Sequence, residues 1–259
     1  MQKIDVNCLF GNWPFRKMYH GTLADLEQVH AENNFCGGYI SSLQSIFYND
    51  PVEAEEELSE SIQGTDYKQI FTINPTLPSF ASNIADAIEK FHIVGVRIYP
   101  GYHQFRLDDP CMKQLYEILR QFNLPLYVTV RMEDERLNYM VTPRIVTIDE
   151  LCNLPDAMPD INILYTNILT GEAVKMKNSI NLKPNVFIDT SCLKAPTGCL
   201  EFILEQIDDS KILYGSAYSF YCLQSTLIQV ERAQISEASK VKILAENAKL
   251  FFNKVVVKS

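Results

Sequence analysis

Histidine is scarce in this chain: four residues in 259, namely His20, His30, His92 and His103. None falls at the C-terminal end of a strand-like run, which excludes a metal cage built from imidazoles at strand ends. The seven cysteines include no CxxC pair, so the paired-thiol signature of a zinc ribbon or redox motif is missing. An odd number of scattered cysteines reads as buried, reduced thiols rather than a disulfide framework. No apolar run approaches the ~18 residues that would cross a bilayer. The amino terminus, Lys3-Ile4-Asp5-Val6, reads as the start of a strand and not as a signal peptide. No glycine-rich phosphate loop follows a strand, which removes the main support for a dinucleotide-binding sheet. Basic residues are outnumbered 23 to 32, and the net charge of −9 argues against a nucleic-acid partner or a polybasic membrane surface. No repeat, low-complexity tract or linker divides residues 1–259, so one cytoplasmic domain is expected.

What is present is a regular alternation. Short apolar runs at 4–10, 38–43, 69–74, 95–99, 126–130, 161–167, 185–191 and 211–216 read as strands. Between them lie helical stretches at 22–33, 51–62, 80–91, 109–122, 148–158, 172–180, 197–207 and 223–233, and 237–252 closes the chain. About eight β/α units favour a single (β/α)8 TIM barrel over an open doubly wound sheet. Strand alternation assigns inward faces to Asp5, Asn7 and Leu9, to Arg97 and Tyr99, and to Thr129 and Arg131. It does the same for Tyr165 and Asn167, for Phe187 and Asp189, and for Leu213, Gly215 and Ala217. A one-residue slip would invert any of these assignments.

Several segments carry a resemblance. Gly95-Val96-Arg97-Ile98-Tyr99-Pro100 precedes Leu107-Asp108-Asp109-Pro110, Gly215-Ser216-Ala217-Tyr218 ends the last strand, and Ile243-Leu244-Ala245-Glu246-Asn247-Ala248 lies in the closing helix. Together with Asp5-Val6-Asn7-Cys8-Leu9, these resemble the amidohydrolase-related family of TIM-barrel hydrolases and decarboxylases along nearly the whole chain. The resemblance implies a metal held by histidines and an aspartate at strand ends. Here those positions are Asn7, Leu9, Thr129, Asn167 and Ala217. Zinc takes imidazole, thiolate or carboxylate donors; Leu9 and Ala217 have no donor, and the other three offer only neutral oxygens. Cys8, between two of these positions, should point toward the helices. The expectation is a divergent member with no family-type metal and no cofactor.

Candidate chemistry gathers at the C-terminal mouth. Six of eight arginines, all but Arg120 and Arg232, fall at strand ends or in the following loops. Arginine presents a planar fork suited to carboxylate or phosphate, so Arg97 and Arg131 are candidates for holding a substrate anion. The same arginines could instead pair with Asp108 and Glu133, Asp134 and Glu135 to rivet the loops. Of the lysines, only Lys17 and Lys194 clearly fall at this face. The only tryptophan, Trp13, lies in a Trp-Pro-Phe loop that could wall a ligand or plug the mouth. His103 is the histidine placed for acid–base work, with Asn7 and Asn167 as polar positioning groups and Tyr99 as a donor to a bound oxyanion. Asp189, if buried, should pair with Arg97 or Arg131, because an unpaired interior carboxylate is costly. The loop from Arg131 to about residue 146, with Glu135 and Arg136, is long enough to be a lid.

The function expected is a metal-independent hydrolase- or lyase-like enzyme, or a binder, acting on a small anionic or polar organic molecule. A non-catalytic barrel and a metal-dependent hydrolase or decarboxylase with an unusual metal site stay open as alternatives, as does homo-oligomerisation.

Overall fold

The structure, a computed structural model, describes residues 2–134 and 141–252. Its strands are β1 (Lys3–Phe10), β2 (Phe35–Ser42), β3 (Lys68–Ile73), β4 (Gly95–Ile98), β5 (Leu126–Thr129), β6 (Ile163–Thr166), β7 (Val186–Asp189) and β8 (Ile212–Leu213). Each pairs in parallel with the next, in chain order. The Val6 N–H donates to the Tyr214 carbonyl at 2.9 Å, which brings the last edge back to the first. The expected (β/α)8 barrel is the observed fold.

The connecting helices are α1 (Leu23–Glu32), α2 (Pro51–Ile62), α3 (Phe80–Phe91), α4 (Cys111–Phe122), α5 (Ile148–Ala157), α6 (Thr170–Lys175), α7 (Lys177–Leu182), α8 (Cys199–Leu204) and α9 (Leu223–Glu231). Then α10 (Glu237–Val241) and α11 (Asn247–Phe252) flank a π-helical turn, Lys242–Glu246. Local chemistry starts several of them. Thr22 with Asp25 and Thr147 with Glu150 form capping boxes, and Asp50 caps α2 ahead of Pro51 in its first turn. The stretch expected as one helix over 172–180 is two, because the chain turns at Met176.

Inside the barrel the side chains stack as apolar, polar and apolar layers. At the N-terminal end Val6, Ile70, Tyr127, Leu164 and Leu213 meet Ala248 and Phe251 of α11, which plugs that end. Leu9, Trp13, Tyr99, Met132, Ala217 and Phe220 form the upper apolar layer. Between them lie the buried polar residues Asn7, Arg97, Asn167 and Asp189.

Two inward faces differ from strict alternation. On β1, Val6 belongs to the lower layer, yet Asn7 and Leu9 also point inward. The pairing of β1 with β2 is irregular between Lys3 and Cys8, which shifts the phase by one residue. Asp5 therefore does not share a face with Asn7: its carboxylate turns outward toward α1. On β6, Tyr165 also points outward, its hydroxyl donating to the Leu151 carbonyl of α5 at 2.6 Å. Asn167 reaches inward because its backbone is left-handed, φ 60°, a conformation asparagine tolerates.

Glu55 of α2 is fully buried against β3, accepting from Ser45 Oγ at 2.7 Å, Gln69 Nε2 at 2.7 Å and the Thr72 N–H at 3.1 Å. No cation pairs with it among the described residues, and burial pushes its carboxyl up to about 7, against the pull of those donors. The folded state then holds a proton that the unfolded chain releases near pH 4.5. Its contribution to stability is full below that pH and is lost as pH rises through 7. Thermal unfolding followed from pH 5 to 8 should show a falling Tm, and Glu55→Gln should flatten that part of the profile. An unchanged slope in the variant would contradict the assignment.

Candidate functional site

The polar layer is organised around one amide. The Nδ2 of Asn7 donates to Asp189 Oδ2 at 2.7 Å and to Asn167 Oδ1 at 3.1 Å, while its Oδ1 accepts from Arg97 at 2.9 Å. Asp189 also accepts from the Asn167 N–H at 3.1 Å and from Ser191 Oγ at 2.8 Å. Arg97 is 1% exposed and lies over the Tyr127 ring at 5.0 Å. The direct ion pair expected for Asp189 with Arg97 or Arg131 is not formed among the described residues; Asn7 stands between the buried cation and anion. Burial raises the Asp189 carboxyl to about 6, opposed by Ser191, Asn7, the Asn167 N–H and the charge of Arg97. Gly215 makes this packing possible, since a Cβ there would lie 2.5 Å from Asp189 Oδ2 and 2.9 Å from Asn7 Cβ.

The Trp13 loop plugs the mouth above this layer. Trp13 is 3% exposed, with edge-on rings at 4.9 Å (Phe220), 5.1 Å (Phe47) and 5.6 Å (Tyr102). Its Nε1 donates to Glu133 at 3.0 Å, and the fully buried Tyr99 packs in the same layer. His103 sits beside this plug, not in the axial network. Its Nε2 meets the Ile46 carbonyl at 3.0 Å, and burial lowers its pKa, favouring the neutral ring.

The open space lies off the axis. A cavity of about 750 Å³ at the C-terminal face is lined by Arg16, Arg131, Cys192, Lys194, Phe220 and Tyr221, among others. The Arg131 fork is taken by Glu172 at 2.5 and 2.6 Å. Arg16 donates to the Phe220 carbonyl at 2.6 Å and lies 4.1 Å over its ring. Lys194 is different. Its ammonium lies 3.6 Å over the Tyr221 ring and has no hydrogen bond or ion pair among the described residues, while burial lowers its pKa. Arg144 ties its loop to Glu150 at 2.5 Å and to the Phe105 carbonyl at 2.5 Å, while Arg106 pairs with the exposed Asp108 two residues on at 2.8 Å. Glu135 and Arg136 lie outside the described residues.

The structure thus gathers Asn7, Asn167, Arg97 and Asp189, roofs them with Trp13 and Tyr99, sets Arg131 at the rim and leaves His103 apart. Sequence reasoning did not single out Lys194 as a binding residue. The signal available was its place five residues after β7, as one of two lysines at this face.

The positions corresponding to a strand-end metal cage do not fit a divalent ion. Leu9 and Ala217 lie in the apolar plug, and Thr129 Oγ1 is engaged with Thr166 Oγ1 at 3.0 Å. Asn7 and Asn167 spend their amides on neighbours, and a guanidinium already adjoins Asn7. A second, doubly charged cation beside Arg97 would meet repulsion and neutral donors.

No family model matches the chain, and no curated protein matches its sequence. Its fold is similar to 5-carboxyvanillate decarboxylase from Sphingomonas paucimobilis, with a TM-score of 0.75 and 16% identity over 97% of this chain and 99% of that one. It is similar to 2,6-dihydroxybenzoate decarboxylase from Rhizobium, with a TM-score of 0.74 and 16% identity over 98% and 99%. A dihydroxybenzoic acid decarboxylase from Polaromonas, with bound manganese and the inhibitor 2-nitroresorcinol, matches at a TM-score of 0.74 and 16% identity over 97% of each chain. Identities this low speak for the fold, and the chemistry has to be read from this chain's residues. The chain folds as the (β/α)8 barrel that these decarboxylases share.

Proposed function

We propose that this barrel binds a small organic anion in the off-axis cleft, without the metal-dependent chemistry of the strand-end cage. The observation that carries this reading is Lys194, whose ammonium is uncommitted to any carboxylate among the described residues and overlooks a cavity of about 750 Å³. That volume falls within the range of small-molecule sites. Arg131 and Arg16 line the same wall but are paired with Glu172 and Glu133, which leaves Lys194 to meet an anion, and the Phe220 and Tyr221 rings supply an apolar face for a planar ligand. Aromatic carboxylates suit this combination, and the ligand named for a neighbouring structure, 2,6-dihydroxybenzoate, is a fitting probe. The axial residues support the barrel instead of meeting the ligand, since Arg97, Asn7, Asn167 and Asp189 are all sealed beneath Trp13. A binding role fits better than acid–base catalysis by His103, whose ring is buried against Ile46.

Calorimetric titration with 2,6-dihydroxybenzoate, benzoate and inorganic phosphate tests the reading, with carbon dioxide release measured in parallel. Binding of at least one anion is expected. Lys194→Met should weaken it roughly ten- to a hundredfold, the loss of one charge-assisted hydrogen bond of about 1.5–3 kcal/mol. Failure of every anion to bind, or an unchanged affinity in Lys194→Met, would refute the proposal. Turnover in the absence of added metal would extend it from binder to enzyme.

Arg97→Met should do the opposite. It leaves Asp189 without the buried cation that balances it, at a cost to stability of about 3–5 kcal/mol. Affinity in the fraction that folds should stay near that of the native chain. A variant of native Tm that has lost anion binding would instead place the ligand on the axis.

A further inference from the structure

A second cluster lies on the opposite side of β1 from Asn7, between the barrel and α1. Asp5, Cys8 and His30 are 0%, 0% and 2% exposed. One donor atom from each lies within 4.8 Å of the other two. In a regular strand, residues three apart point to opposite faces. The irregularity of β1 between Asp5 and Cys8 puts both on the helix side, where His30 of α1 meets them.

We propose that Asp5 Oδ2, Cys8 Sγ and His30 Nε2 form a buried site for a zinc-class divalent ion that pins α1 to β1. His30 is the independent observation. Its Nδ1 is engaged by the Tyr67 hydroxyl at 2.9 Å, and its ring is stacked on Phe35 at 4.7 Å and Tyr67 at 5.6 Å. Its Nε2 is fully buried without a hydrogen-bond partner and faces Asp5 Oδ2 at 3.4 Å. That separation is long for a charge-assisted hydrogen bond. It matches the edge of a zinc tetrahedron, roughly 3.3–3.6 Å between donors for metal–ligand bonds of about 2.0–2.3 Å. A histidine held at one ring nitrogen while the other aims at a carboxylate and a thiol is oriented as a metal ligand is.

The rest of the surroundings agree with a small, charge-balanced centre. Asp5 Oδ1 is saturated by the N–H groups of Asn7 and Ser216, both at 3.0 Å, and Oδ2 accepts from Ser216 Oγ at 2.5 Å while also facing His30. No lysine or arginine pairs with Asp5 among the described residues. A carboxylate, a thiolate and a neutral imidazole would balance a divalent charge, with the fourth position left to a trapped water. Gly38 forms the adjoining wall: a Cβ there would lie 2.7 Å from Cys8 Sγ and 3.4 Å from His30 Cε1. The site is separate from the anion cleft, meets the axial network only through the Asn7 N–H, and is buried from solvent. Its role is structural.

The test uses the whole chain, expressed in zinc- or cobalt-supplemented medium and purified without chelator, because a sealed site must load as the chain folds. Elemental analysis should find about one zinc per chain. The cobalt form should show thiolate-to-metal charge transfer in the near ultraviolet. Cys8→Ser should abolish that band, and His30→Gln should lower metal content at least tenfold. A folded wild-type chain that carries no metal overturns the proposal, whatever the variants do. So does metal retained with an unchanged cobalt spectrum in Cys8→Ser or with unchanged content in His30→Gln, since the ion would then be bound elsewhere.

Discussion

The interior of this barrel depends on Asn7 standing between Arg97 and Asp189. A guanidinium and a carboxylate that are both sealed from water are each costly unless compensated. One primary amide serves both, its oxygen facing the cation and its nitrogen facing the anion. Asn167 and Ser191 complete the ring of hydrogen bonds, and the Tyr127 ring supplies a face beneath the guanidinium. Strands β1, β4, β6 and β7 are tied across the axis in this way. The absence of a side chain at Gly215 lets β8 pass close enough to complete the layer.

That arrangement fills the barrel axis at its C-terminal end. With a protein cation on the axis and an aromatic plug above it, the usual meeting point of a barrel's strand ends is filled. The loops after β5 to β8 instead enclose a cleft to one side, where Lys194 and Tyr221 meet solvent. The chain thus shares its fold with decarboxylases one of whose structures contains manganese, while the residues on its own axis serve packing and charge balance. A shared fold does not imply a shared site, since function can live in loops carried by a common scaffold.

The inner faces show how far alternation can be trusted. Arg97 and Asp189 lie on the faces that period-two counting assigns, because their strands are regular up to those positions; Gly215 and Ala217 also face inward, although they lie beyond the end of β8 and Ala217 has a left-handed backbone, φ 50°. Asp5 and Tyr165 do not. In one case an irregular pairing shifts the phase of β1. In the other a left-handed residue after β6 turns Asn167 inward while Tyr165 stays with the helices. Both deviations depend on pairing partners and backbone dihedrals, neither of which leaves a mark in hydrophobic spacing.

By itself the sequence determined the eightfold β/α order, the barrel, and the unsuitability of Leu9 and Ala217 as metal ligands. These follow from local periodicity and from which side chains carry donor atoms, properties that each residue holds without reference to distant ones. Tertiary structure alone decided that Trp13 plugs the mouth, that Arg131 is spent on Glu172, that His103 turns to Ile46, and that Lys194 lies over the Tyr221 ring. It also brought His30 of α1 to Asp5 and Cys8 of β1. Each of these outcomes is a pairing between groups far apart in the chain. Such a pairing is fixed by the packing of whole elements, and no stretch of sequence contains both of its partners.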